Sequence, residues 1–549
     1  MALAFGSRHP CDDRLGVDQP AEPCSQRDRR WVLAVSILGS SLAFIEGSVV
    51  GLALPAIQRE LAVDSSAVQW VANLYLLILG AFLLIGGAAG DRFGLRRIFV
   101  LGTATFGFGA LAAGLASDLG WLLLFRSLQG LGAAALVPVS LALLSRHFDK
   151  ASRAKAIGTW AGASALTTAA GPVLGGWLVD TFGWQGVFLM VPPIALPVIL
   201  LALWRVPDDT PSSTVRPDYA GGLLLAGAIG LLVLTLLSMP SILAWLFLAG
   251  GVCLAVGFLY RQRRARQPML PLPLLRNRTF AGANGVTLLL YWALSGALYF
   301  LPFNLVQVQG YSTLEAGLAV LPMTLLLGFG STLAGDLIRR FPSRLVLTVG
   351  PVVAGAGFAM FALPGTEGSY LVDWFPAVVV MSLGMTISVA PLTAVVMSSV
   401  DDEHAGTASG INNTAARLAG VLAISLLTAV AVPTFATTLA DRLDDAGVPA
   451  ELREELVSQA PQLADIDIPA GAGVASEDLR SLVDASYVST FRILVLLCAA
   501  AAGAAAALAW VTLPPGREAT DASATDAEAP RSRPSSYSPS FVIGKEMPV

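Results

Sequence analysis

Charge is scarce in this chain. Its 549 residues hold 34 Lys or Arg and 38 Asp or Glu, 13% of the total, where a soluble globular protein carries about 25%. A water-soluble chain of this length would need about three domains with charged surfaces, and the shortage excludes them. Lipid demands no polar exterior. A bilayer is therefore the solvent left, in keeping with 55% hydrophobic residues and a mean hydropathy of +0.69.

Other absences narrow the function. Cys11 and Cys24 lie in a polar tail and Cys253 and Cys498 in apolar segments, which makes neither a disulfide framework nor a metal-ligand spacing. His9, His147 and His404 occupy three separate segments, leaving no metal cluster and no Ser–His pair at membrane depth. No Lys/Arg-rich block points to nucleic acid. The first twenty residues have no apolar core, so a cleaved signal peptide is not expected. The only Gly-Lys pair, Gly544-Lys545, is followed by Glu546, which excludes a P-loop and ATP as the driver. Gly107-x-Gly109 and Gly130-x-Gly132 sit in apolar segments without the strand a dinucleotide site requires. The expectation is a non-enzyme with no catalytic residues, no metal and no cofactor.

What is present is a series of apolar stretches. Segments of about 18 or more largely uncharged residues read as membrane helices. They span 32–54, 69–89, 98–116, 121–144, 156–179, 184–204, 219–238, 241–260, 280–304, 315–335, 344–363, 374–397, 407–433 and 489–512. The predicted fold class is an all-α polytopic membrane protein with 14 transmembrane helices. Polar material remains in the tail 1–30, in 436–487, and in a tail 514–549 whose Ala, Ser, Thr, Asp and Pro read as disordered.

Lys and Arg collect in cytoplasmic loops. With the N-terminus inside, 27 of the 34 fall in inside segments. Four lie outside (Arg59, Arg442, Arg453, Arg480) and three within spans (Arg126, Arg417, Arg492). One span more or fewer would put alternate basic loops on the wrong side. Both termini are therefore predicted cytoplasmic, with 436–487 as the one large external loop. That loop carries eleven acids and three arginines. Its composition reads as a solvated connector, with a lid or a cation-attracting vestibule as the alternative.

Glu46 is the one carboxylate well inside a span. Ionised, it is costly there unless an arginine answers it. It can thus alternate between a proton and a cationic substrate; a static pair with Arg126 of the fourth span is the alternative. The run Gly87-Ala88-Ala89-Gly90-Asp91-Arg92-Phe93-Gly94-Leu95-Arg96-Arg97 joins the second and third spans. Its small residues permit close helix approach, Asp91 suits a helix N-terminus, and Gly94 suits a tight turn. Gly335-Asp336 with Arg339 and Arg340 echoes it at the end of the tenth span, as two related halves would. In the fifth span, Gly162 through Gly176 includes Gly171-Pro172-Val173-Leu174-Gly175-Gly176, a Pro-containing, Gly-lined packing face. Trp70, Tyr75, Tyr291, Trp292, Tyr299, Asn304, Gln307, Asn412, Asn413 and Arg417 are candidates to line an amphipathic cavity. Interface belts and helix-packing amides are the alternative roles.

These strings resemble the major facilitator superfamily. The 87–97 run looks like its loop 2–3 signature, with Leu95 where the family commonly has a basic residue. Leu124 to Gly132 resembles its Arg-x-x-Gln-Gly motif, implicated there in proton transfer, and the Gly-Pro-x-x-Gly-Gly string resembles the signature of its exporting branch. Phe44 to Pro55 is similar to the first-span motif of the fourteen-span drug:proton antiporter branch, with Glu46 for the usual Asp and Gly51 for the usual Asn. Gln69-Trp70-Val71 with Tyr75, Gly310-Tyr311-Ser312, and Gly410 to Thr414 with Arg417 extend the resemblance over the membrane portion. The tails and the external loop carry no signature.

The resemblance implies a major-facilitator fold: a six-helix bundle over 31–205, two inserted helices with flanks over 206–279, and a second six-helix bundle over 280–513 that includes the loop 436–487. It implies proton coupling at Glu46 and Arg126, and gating by Gly87, Asp91, Arg92, Gly94, Arg96 and Arg97. It also implies an antiporter role for Gly162, Gly171, Pro172, Gly175 and Gly176. The expected function is proton-coupled export of small amphipathic or cationic compounds, as in multidrug efflux, by alternating access across the cell membrane. Small-molecule substrate, protons and the bilayer are the expected partners. A dedicated exporter of a lipid, siderophore or biosynthetic product is the alternative on the same fold. A non-transporting receptor or intramembrane enzyme is the remote one.

Overall fold

The computed structural model describes residues 26–515 apart from 149, 209–217, 238–240, 266–267, 269, 271, 336, 401–404 and 469–475. Nearly all of both tails, with Asp336, therefore lies outside the described residues.

All regular structure among the described residues is helical. The first half comprises α1 (Gln26–Glu60), α2 (Ser65–Phe93), α3 (Leu95–Gly114), α4 (Leu119–His147), α5 (Lys150–Phe182), α6 (Trp184–Leu189) and α7 (Val191–Arg205). Two helices follow, α8 (Tyr219–Leu237) and α9 (Ile242–Arg264). The second half comprises α10 (Arg278–Phe303), α11 (Thr313–Ala319), α12 (Leu321–Gly335), α13 (Leu337–Arg340), α14 (Ser343–Met360), α15 (Phe375–Ser398), α16 (Ala405–Asp445), α17 (Ala450–Ser458) and α18 (Ser476–Thr512). Polar residues between the apolar runs start helices: Asp64 accepts from the Ala67 N–H at 2.7 Å, and Asp118 from that of Trp121 at 3.1 Å. Gly94 (φ 98°) and Gly183 (φ 72°) turn the chain where a side chain would be strained.

Every one of the fourteen expected segments falls on a helix or a broken pair, α6–α7 for the sixth and α11–α12 for the tenth. Eleven described helical stretches are long and apolar enough to cross a bilayer, or twelve with α2. The other two segments are α5, diluted by Gly, Ala, Ser and Thr, and α11–α12, interrupted at Val320. Pro322, two residues on, has no N–H with which to continue the helical ladder.

Helices α1 to α7 pack as one bundle, and α10 to α16 with α18 as another. Helix α8 lies along the seam between them, its Val233 packed with Leu77 of α2 and Val421 of α16. Helix α9 packs chiefly on α8 and turns Leu243, Trp245, Leu246 and Val256 outward, an apolar face of the kind lipid covers.

The last turn of α1 and the start of α18 share one end of the molecule with residues 446–468, here called the loop end. There the two halves interlock through glycine. A Cβ on Gly176 of α5 would stand 2.5 Å from the Thr313 carbonyl oxygen, and one on Gly317 of α11 would collide with the Pro172 carbonyl. The carboxylate of Asp180, at the end of α5, accepts the N–H groups of Thr313 (3.2 Å) and Leu314 (2.9 Å). Ser312 and Glu315 form a capping box beside them. Two of the first-turn donors of α11 are thus filled from the opposite half.

The solvated-connector reading of 436–487 does not hold. Helix α16 runs on to Asp445, α17 folds back, and α18 begins at Ser476. Leu456, Leu463, Ala464 and Ile466 are buried in the main core, because apolar residues punctuate the acidic ones. The cap also reaches the first half, where Gln58 of α1 donates to the Gln462 carbonyl at 2.9 Å. Asp465 lies in the fields of Arg59 and Arg480, yet burial holds its carboxyl above the ordinary carboxylate range.

Substituting Gly317→Ala or Gly176→Ala is expected to part the halves at the loop end. On a Gly51→Cys background, labelling by an impermeant maleimide added on the loop side should rise several-fold. Unchanged labelling would show that this seam does not hold the loop end shut. Because the neutral form of Asp465 is favoured in the docked cap, docking should strengthen as pH falls through its raised pKa and level off below the ordinary one. Asp465→Asn should abolish that dependence, read as protease resistance of 456–466 across pH; persistence of the dependence would assign it to another group.

Candidate functional site

Helix α1 carries Glu46 toward α4, where Arg126 and Gln129, one turn apart, share a face. Arg126 Nη1 donates to Glu46 Oε1 at 3.0 Å and to Gln129 Oε1 at 2.9 Å, and Gln129 Nε2 donates to Glu46 Oε1 at 3.2 Å. Arg126 Nε donates to the Val71 carbonyl of α2 at 2.8 Å. The guanidinium lies 4.4 Å from the Tyr75 ring centroid and 5.6 Å from that of Phe188. Glu46 is 0% and Arg126 1% exposed. Removing one member of such a desolvated pair strands the other at a cost of about 3–5 kcal/mol. One atom is left over: among the described residues, buried Glu46 Oε2 has no hydrogen-bond partner. It is the atom on which a proton would sit.

Helix α1 presents a different face to the second half. Phe44, Gly47 and Gly51 are spaced to share it. A Cβ on Gly47 or on Gly51 would meet nothing within 4 Å, so the glycines border open space. Phe44 meets Trp160 of α5 edge-on at 6.1 Å and lies 6.0 Å from the Arg417 guanidinium of α16. Tyr291 of α10 lies within the electrostatic reach of Arg417, and Trp292 is half-buried beside it. In the second half, Thr287 donates to the Asn412 amide oxygen at 2.7 Å, while Asn413 is exposed.

Other candidates sit elsewhere. Tyr75 is buried beneath Arg126, its hydroxyl donating to the Ala43 carbonyl. Trp70 packs in the cluster formed with α8. Tyr299 and Asn304 are enclosed within the second half, and both Gln307 side-chain heteroatoms are buried without partners among the described residues.

In the 87–97 run, the Gly94 N–H donates to the Gly90 carbonyl at 2.9 Å. Arg96 reaches the Val206 carbonyl (3.0 Å) and Asp208 (3.2 Å), tying the α2–α3 turn to the end of α7. Asp91 and Arg97 are exposed, and Arg92 lies over the ring of Phe93. The close approach to α4 is made by Gly86, whose Cβ would collide with the Ala134 carbonyl, and not by Gly87. The i, i+4 spacing of Gly86 and Gly90 was the available signal. On α5, Gly171 faces Ser48 and Gly175 faces Val49 of α1, while Gly176 faces α11 and Pro172 meets Gly317. Gly162 lies outside the residues whose surroundings are described. Sequence reasoning missed Asp180, Phe44 and Trp160, whose partners are distant in the chain.

Two packed helical bundles, with an ion pair buried inside one and open space beside it, suit a membrane transporter, and the chain belongs to the Major Facilitator Superfamily, whose family model matches residues 36–424. It is 32% identical over 503 residues to the tetracenomycin C resistance and export protein of Streptomyces glaucescens, covering 88% of this chain and 92% of the relative. It is 32% identical over 440 residues to the multidrug resistance protein Stp of Mycobacterium tuberculosis, covering 79% and 81%. The fold matches a bacterial homologue of the human lysosomal transporter Spinster in an inward-facing and occupied conformation. The TM-score is 0.64 at 18% identity, over 89% of this chain and 97% of that one.

Arg126→Met should lower stability by about 3 kcal/mol, whereas Glu46→Leu with Arg126→Met should recover most of the loss. Thermal unfolding in detergent reads both. A double variant as unstable as the sum of the singles would deny the coupling.

Proposed function

We propose that this transporter is a proton-coupled antiporter that exports small amphipathic compounds by alternating access. Both termini are read as cytoplasmic and the loop end as facing outward, a reading supported by the distribution of Lys and Arg. The observation that carries the reading is the Glu46–Arg126 pair, shut away from water yet one residue from the open face at Gly47, with one carboxylate oxygen unclaimed. A proton can reside there without breaking the contacts Arg126 makes to Gln129 and the Val71 carbonyl.

In the cycle, the sealed loop end leaves the cavity reached from the cytoplasm. Cargo enters, the halves rock, and the glycine seam between α5 and α11 parts to release it outward. Glu46 takes a proton from outside and returns it inside. Each proton entering supplies about 2.3 kcal/mol per 100 mV of membrane potential, to which the pH gradient adds. The names of the relatives support export; one names a single compound and the other many, so a dedicated exporter stands as the second reading. A susceptibility panel on cells with and without the protein separates breadth from dedication.

Glu46→Gln should abolish efflux driven by a proton gradient in everted vesicles, along with substrate-induced proton release, while leaving the protein in the membrane. Unimpaired uphill efflux in this variant would sink the coupling role of Glu46.

A further inference from the structure

One charged side chain at the middle of the bundle has no role in the reading above. Arg417 of α16 stands opposite the middle of α2, where a Cβ on Gly80 would come within 3.2 Å of its own Cβ. It is half-buried. Among the described residues its guanidinium has neither a carboxylate within ion-pair distance nor a hydrogen-bond acceptor. The contrast with the other two arginines within spans is sharp. Arg126 has a carboxylate, an amide and a carbonyl, and Arg492 has the Pro364 carbonyl. An arginine at membrane depth is costly unless it faces a cavity and finds a counter-charge.

Both conditions point the same way. Beside Arg417, the α1 face of Phe44, Gly47 and Gly51 borders empty space, and Phe44 with Trp160 makes an aromatic wall. Among the described residues the one carboxylate nearby, Glu46, points off that face into its own pair and is wholly buried. The formal charge presented to the space is therefore positive. Its five donors lie in a plane suited to pair a planar anion and to stack on rings. Charge pairing is stronger in such a setting than in water.

We infer that the cargo bears an acidic oxygen (a phenolate, enolate or carboxylate) on an aromatic frame, and that Arg417 is the residue that holds it. The inference rests on the exporter reading and specifies its substrate class. The sequence allowed a cationic cargo; the cavity presents the sign that repels one. An anion leaving as a proton enters moves two elementary charges per cycle, so an inside-negative potential accelerates transport.

The test uses the full chain in proteoliposomes with two xanthene dyes of similar frame and opposite charge, fluorescein and rhodamine 6G. Wild type should move fluorescein at least tenfold faster than rhodamine 6G, and faster still under an inside-negative potential. Arg417→Gln should lose fluorescein transport tenfold or more, Arg417→Lys should keep part of it, and Arg417→Glu should favour rhodamine 6G. Gain of rhodamine transport also shows that a variant is folded. Equal transport of both dyes by wild type, or fluorescein transport untouched in Arg417→Gln, overturns the inference and leaves the exporter reading standing. If wild type moves neither dye nor any compound that the protein protects cells against, the exporter reading fails, and the inference with it.

Discussion

A carboxylate taken wholly out of water has to be answered by the chain itself, and Glu46 is answered completely on one oxygen only. Holding it requires Arg126 from α4, Gln129 one turn on, the Val71 carbonyl of α2 and the aromatic faces of Tyr75 and Phe188. Those demands set where α1, α2, α4 and α6 stand in the first half. In energy the pair nearly cancels, since the attraction it gains is close to the hydration both ions lose. Stability alone would not favour it over an apolar core. In the proposed cycle that near-balance is what makes it useful, because a small change, one proton, alters the charge while Arg126 keeps its amide and carbonyl partners.

Lipid tails give helices no hydrophobic reason to associate, so close packing has to supply the attraction. Helix α5 uses glycine on two faces for this. Gly171 and Gly175 bring it against α1 within its own half, and Gly176 brings it against α11 of the other. The first contact is internal to a bundle; the second has to come apart if the halves rock. Asp180 makes that separation inexpensive, because it is exposed and water can replace it at the N–H groups of Thr313 and Leu314. The cap over the loop end adds one hydrogen bond to α1 through Gln58, so it joins the seam without locking it.

Much of this was legible in the residues. Glu46 stands out because carboxylates are absent from every other span interior, and Arg126 because arginine is almost as rare there. Gly94 was readable because a turn of positive φ admits little else. The cavity residues were not. Tyr299 and Tyr291 look alike in sequence, yet one is enclosed and the other lies near Arg417. Asp180 looks like any acid in a loop until α11 is placed beneath it. The acid-rich segment 436–487 misled because composition averages over spacing, and its few apolar residues are the ones that dock.

The sequence by itself determined the solvent, the helices, the family resemblance and the deep ion pair. These depend on hydropathy, on charge count and on local strings, all of which survive without coordinates. Tertiary structure alone decided which half caps which helix, where open space remains, and that Arg417 faces that space without an ion-pair partner among the described residues. Such properties belong to pairs of residues hundreds of positions apart. No local pattern encodes whether a second surface will arrive to cover a side chain, so its exposure becomes definite only once the bundles have packed.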